Sequence, residues 1–192
     1  MISPFEYITV LISIILGMGI TQILTGVASL VNRWERVKLY WPHTALIILV
    51  FIIHIQEWWA FYEMRHYKVW HLATFLFVIL YPVSLYLLAR ILFPLSLKDA
   101  IIDLKTFYYS NYKRMFLMII ILDVLAIIDN IFISGYSIAD QVVQLCVMIL
   151  LIVFVVRGSR NEWVHKGIAA TLILITVIAI IATWKTFVIE NV

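Results

Sequence analysis

Long apolar runs alternate with short polar breaks along this chain. Six of the runs approach or exceed the ~20 helical residues that cross a hydrocarbon core of about 30 Å. They cover residues 4–31, 42–62, 72–93, 115–133, 138–156 and 168–188. Each must be a helix, because lipid offers no partner to exposed backbone groups and nothing here alternates like a barrel strand. The pattern predicts an all-α polytopic membrane protein of six transmembrane helices, with residues 1–192 forming one transmembrane helical domain.

Local signals refine the runs. Ser3-Pro4-Phe5-Glu6 predicts an N-cap, a proline in the first turn and a capping box. Ser13, Gly17, Thr21, Thr25 and Ser29 recur every fourth residue, a small-residue ridge that lets another helix approach closely. Pro82 removes a backbone donor inside the third run and predicts a kink or local opening. Between the third and fourth runs, Ser96–Asp99 resembles a cap, and Leu97, Ile101, Leu104 and Tyr108 follow at helical spacing. That stripe predicts a short cytoplasmic amphipathic helix lying on the membrane surface. Ser137 and Asp140 repeat the capping pattern before the fifth run.

Composition strengthens the membrane reading. Hydrophobic residues make up 65% of the chain, charged residues only 13%, and the mean hydropathy is +1.05; soluble domains are closer to half apolar and a quarter charged. The net charge of +3 is carried by loops, which fits membrane orientation and not nucleic-acid binding. Eleven lysines and arginines flank one side of the six runs and three the other. The positive-inside rule then places both termini outside the cytoplasm, with the plasma (inner) membrane as the expected location. The first apolar run is too long for a signal h-region and reads as a retained span. A lone cysteine, Cys146, excludes an intrachain disulfide and any CxxC site.

Chemistry concentrates where the second run turns polar, in His54-Ile-Gln-Glu-Trp-Trp-Ala-Phe-Tyr-Glu63. At about 100° per residue, His54, Gln56, Glu57, Phe61 and Glu63 fall on one half of a helix, with Ile55, Trp58, Trp59 and Tyr62 on the other. The polar half is expected to face protein or water and the aromatic half lipid. The predicted topology sets His54, Gln56, Glu57, Asp129 and Asn130 in the outer half of the membrane or at its outer edge, with Asp123 near the middle. These six are the candidate ligand- or ion-binding residues, around an acidic pocket open to the outside.

Buried carboxylates must be protonated, paired with a cation or bound to a metal. The expected function is a proton- or cation-handling transporter or channel subunit. One alternative is a non-catalytic ligand-binding or assembly subunit of a larger membrane complex. Another is a metal-dependent hydrolase at the outer leaflet, with His54-x-x-Glu57 and Asp123 or Asp129 as ligands. No catalytic residue is assigned, and the sequence leaves any cofactor or metal open. Heme is disfavoured, because His54 and His71 would differ in depth by about 15 Å. His43 and His165 are expected near the inner interface. The expected partners are the lipid bilayer and either a second copy of the chain or another membrane subunit.

Overall fold

The computed structural model describes residues 3–67, 69–94 and 101–183. Six helical segments among them are long and apolar enough to cross a bilayer. The chain runs α1 (Pro4–Val31), β1 (Val37–Lys38), α2 (Trp41–Ala60), α3 (Leu72–Val78), α4 (Leu80–Ile91), β2 (Ile102–Asp103), α5 (Leu104–Phe132), α6 (Val142–Arg157) and α7 (Glu162–Thr183). A 3-10 turn, Phe61–His66, extends α2, and another, Ile138–Gln141, leads into α6.

Both capping boxes form. Ser3 Oγ accepts from Glu6 N while the Glu6 carboxylate accepts from Ser3 N, and Ser137 and Asp140 repeat the exchange. Pro82 cannot donate to the carbonyl of Val78, and the third span is interrupted close by, at Ile79, between α3 and α4.

Helices α2 and α4 form the centre, α4 packing on α1 and α5, and α2 on α1, α4 and α7. Helix α6 lies on α5. The small ridge on α1 is not what packs within the chain. Helix α1 buries Ile12, Leu16, Gly19, Ile23, Gly26 and Leu30, a seven-residue repeat that points one seam at its neighbours. Thr21 and Thr25 face outward, Ser13, Gly17 and Ser29 are half-exposed, and Gly17 has open space where a Cβ would stand. The hydroxyls of Thr21 and Ser29 donate to the carbonyls of Gly17 and Thr25 on their own helix, so the ridge leaves neither of them unpaired.

Among the described residues, the stripe expected as a surface helix between the third and fourth spans belongs to α5 from Leu104 onward. Residues 95–100, including the Ser96–Asp99 cap, lie outside the described residues. From there Ile102 and Asp103 pair in parallel with Val37 and Lys38, and Asp103 caps a continuous helix of 29 residues. The stripe of Leu104 and Tyr108 continues through Tyr112 and Met115, all buried. It faces the protein and not the membrane surface. Helix α5, at 1.5 Å per residue about 43 Å long, exceeds the thickness of a bilayer's hydrocarbon core.

Candidate functional site

At the end of the bundle where α1 begins and α5 finishes, a cavity of about 230 Å³ opens between α2, α4 and α5. Its polar lining is Glu57, Glu63, Tyr81, Asp129, Asn130 and Ser134, with Tyr136 at the rim. Glu57 arrives from the last turn of α2 and Asp129 and Asn130 from the last turn of α5. Tyr81 follows the break between α3 and α4. Glu57 and Asp129 thus bring two carboxyl groups from different helices to one cavity. The Tyr81 hydroxyl lies within electrostatic reach of Glu57, Asp123 and Asp129 together.

A polar seam leads away from this cavity between α5 and α6. Asn130 Nδ2 donates to Gln141 Oε1 at 2.8 Å and to Gln144 Oε1 at 3.5 Å. Gln144 Nε2 donates to the main-chain carbonyl of Asp123 at 3.3 Å. Asp123 Oδ2 is buried without a hydrogen-bond partner. Asp123 and Asn130, seven residues apart on one face of α5, therefore meet the same glutamine.

Of the six expected site residues, Glu57, Asp129 and Asn130 line the cavity, and Asp123 is connected to it through the hydrogen bonds of Gln144. His54 and Gln56 do not line it. His54 is fully buried, but its ring lies over Gly19 of α1. His54 Nδ1 donates to the carbonyl of Val50 at 2.7 Å, because a carbonyl can only accept. His54 and Glu57, one turn apart, address different neighbours. Among the described residues no three His, Cys, Asp or Glu side chains converge as a metal set would. Of the aromatic half of α2, Ile55 and Trp58 are exposed, whereas Trp59 and Tyr62 are half-buried beside Phe5 and Thr9.

A second polar cluster, not anticipated in the inner half, occupies the opposite end. His43 and His165, expected at the interface, have no exposed surface. His165 Nε2 donates to the carbonyl of Ser159 at 2.8 Å, so Nδ1 accepts from the Tyr108 hydroxyl at 3.0 Å. The rings of Tyr109, Tyr112 and Phe154 surround the imidazole at 4.7, 4.8 and 4.9 Å between centroids. His43 Nε2 donates to the carbonyl of Leu92 at 2.9 Å. Outside this plug, Glu162 bridges Lys105 at 2.6 Å and Lys166 at 2.9 Å. The N–H groups of Thr106 and Lys105 hold the Asp103 carboxyl below its ordinary range, and burial raises the Tyr40 phenol. This end is closed by aromatic rings.

A larger groove of about 590 Å³ runs between α1 and α3, but apart from His71 its lining is apolar and aromatic. It offers surface for lipid tails and no convergence of polar groups. No family model matches the chain, and no match was found among curated proteins or solved structures.

Proposed function

We propose that this chain is a small multi-pass membrane subunit that handles protons or other cations through the acidic cavity between α2, α4 and α5. One observation carries the reading: Glu57 and Asp129, from different helices, line one cavity of about 230 Å³ together with Tyr81 and Asn130. Two carboxylates at one cavity in an apolar bundle are costly unless a cation or proton is taken up there. The positive-inside bias supports a cavity open to the exterior of an inner (plasma) membrane, with both termini on that side. The aromatic plug around His165 supports a closed cytoplasmic end.

The test is ion flux driven by an imposed potential in vesicles holding the purified protein. Wild type should pass current, and Glu57→Gln with Asp129→Asn should abolish it while the fold survives, because amides keep the neutral hydrogen bonds. Undiminished current in the double variant would overturn the reading.

A second reading, a subunit that assembles with its own copies, is favoured by the outward small ridge of α1. Such a ridge permits close helix approach, and the Thr21 and Ser29 hydroxyls on it are already paired within α1. The two readings are compatible, since an oligomer can carry one cavity in each copy.

A further inference from the structure

The acidic cavity is aromatic as well as acidic. The rings of Phe61, Phe77, Tyr81 and Tyr136 share its lining with Glu57 and Asp129, and no lysine, arginine or histidine is among the described residues that line it. Two polar groups there are left without a partner. The Glu57 carboxyl and the Tyr81 hydroxyl lie deep in the bundle, and neither makes a hydrogen bond or ion pair among the described residues. Asn130 has its amide nitrogen on Gln141 and Gln144, so only its side-chain oxygen is left for a guest. What the lining offers is therefore acceptors and negative charge, and its guest must bring donors and positive charge. A bare proton does not need a space of about 230 Å³. Calcium takes about six to eight oxygen ligands, and the apolar part of this lining supplies none. No three His, Cys, Asp or Glu side chains converge as a metal set among the described residues.

We propose that the cation taken into this cavity is a small protonated organic amine, its ammonium group held by the Glu57 and Asp129 carboxylates and its carbon skeleton packed against the aromatic lining. This rests on the cation reading above and names the class of cation. An ammonium group carries several N–H donors for the carboxylates, the Tyr81 oxygen and the Asn130 side-chain oxygen. Its positive charge is attracted by neighbouring aromatic rings. Its alkyl part gains from leaving water for the surface of Phe61 and Phe77, where a hydrated inorganic ion would gain nothing. Acidic and aromatic linings together are thus used by one kind of guest.

The experiment titrates the purified full chain in detergent with n-butylammonium chloride by isothermal calorimetry at constant ionic strength. Sodium chloride, calcium chloride and neutral 1-butanol are titrated in parallel. Butylammonium should bind saturably at a single site per chain, and the three comparators should not. Glu57→Gln and Asp129→Asn should each weaken binding by about 10- to 100-fold, as loss of a charged hydrogen-bond partner does. Phe77→Leu should weaken it by about 2- to 30-fold while unfolding near the wild-type temperature. Trp58→Leu, on the exposed side of α2, should leave it unchanged. Should Glu57→Gln fold poorly, Asp129→Asn and Phe77→Leu decide. Wild-type affinity in folded Asp129→Asn overturns the site, and wild-type affinity in Phe77→Leu overturns the aromatic part of it. Equal binding of sodium or calcium overturns the amine in favour of an inorganic cation, and equal binding of 1-butanol overturns the charge requirement. Amine binding by a protein that passes no current refutes transport and leaves this site standing. Current without amine binding overturns the amine and leaves the cation reading standing.

Discussion

The imidazole of His54 lies directly over the α-carbon of Gly19. A methyl group on that glycine would overlap Nε2 and stand 2.7 Å from Cδ2. The ring cannot retreat, because it is fully buried and its Nδ1 is tied to Val50. Gly19→Ala should therefore destabilise the protein, by about 1–3 kcal/mol for overpacking of this kind. Gly17→Ala, with nothing within 4 Å of the new carbon, should be neutral or stabilise by up to about 1 kcal/mol. Thermal unfolding of both in one detergent reads the difference, and equal midpoints would show that the α1–α2 contact yields.

The outward ridge predicts assembly independently of stability. Gly17→Leu with Thr21→Leu should leave the unfolding midpoint close to wild type and shift the population from oligomer to monomer in native mass spectrometry or subunit-counting photobleaching. A monomeric wild type in lipid particles would remove the ridge as an interface.

At the closed end, Tyr108→Phe deletes the donor to His165 Nδ1 and leaves a buried acceptor unpaired. The expected loss is about 1–3 kcal/mol. Tyr109→Phe removes only a long contact of 3.4 Å with the Tyr40 hydroxyl and should lose less. Equilibrium unfolding of the two variants ranks them, and the opposite order would dismiss the Tyr108–His165 bond as the tie between α5 and α7.

Asp103 supplies an acid-sensitive contribution. Its folded-state pKa is depressed, chiefly by the Thr106 N–H and then by that of Lys105. The stabilisation is therefore present above the unfolded-state value and lost as pH falls through the lower folded value. Because the group is exposed, solvent weakens the effect. Asp103→Asn should keep the cap and flatten the acid side of the stability profile, whereas Asp103→Ala should lose about 0.5–2 kcal/mol at neutral pH. An unchanged acid limb in Asp103→Asn would assign the titration elsewhere.

Single cysteines at Asn32 and Ser137, in a Cys146→Ser background, decide the orientation. Ser137 should react with an impermeant reagent from outside and Asn32 only from the cytoplasmic face. Labelling of Asn32 from outside would invert the proposed topology.

Features encoded by neighbours in sequence were the readable ones. The Ser3–Glu6 box and the interruption near Pro82 need only residues three or four apart, and both formed as the spacing indicated. Glu57, Asp129 and Asn130 could be grouped because span order sets their depth. Depth says nothing about azimuth, so His54 was assigned to the same site although it turns toward α1. Tyr81 carried no signal at all, since a tyrosine in an apolar helix reads the same whether it faces a lipid tail or a carboxylate. The stripe through Leu104 and Tyr108 was visible, but an amphipathic stripe fits a membrane surface and a protein core equally well. What decided it was the arrival of Tyr40, His43 and His165 from distant parts of the chain.

The short parallel ladder of Val37 with Ile102 and Lys38 with Asp103 has a mechanical consequence. It fastens the segment leading into α2 to the segment leading into α5 at the aromatic end, where Glu162 adds a clasp between α5 and α7. At the acidic end no ladder or ion pair joins α2 to α5 among the described residues. Thermal rocking of α2 against α5 therefore has its fulcrum at the ladder and its widest swing at Glu57 and Asp129.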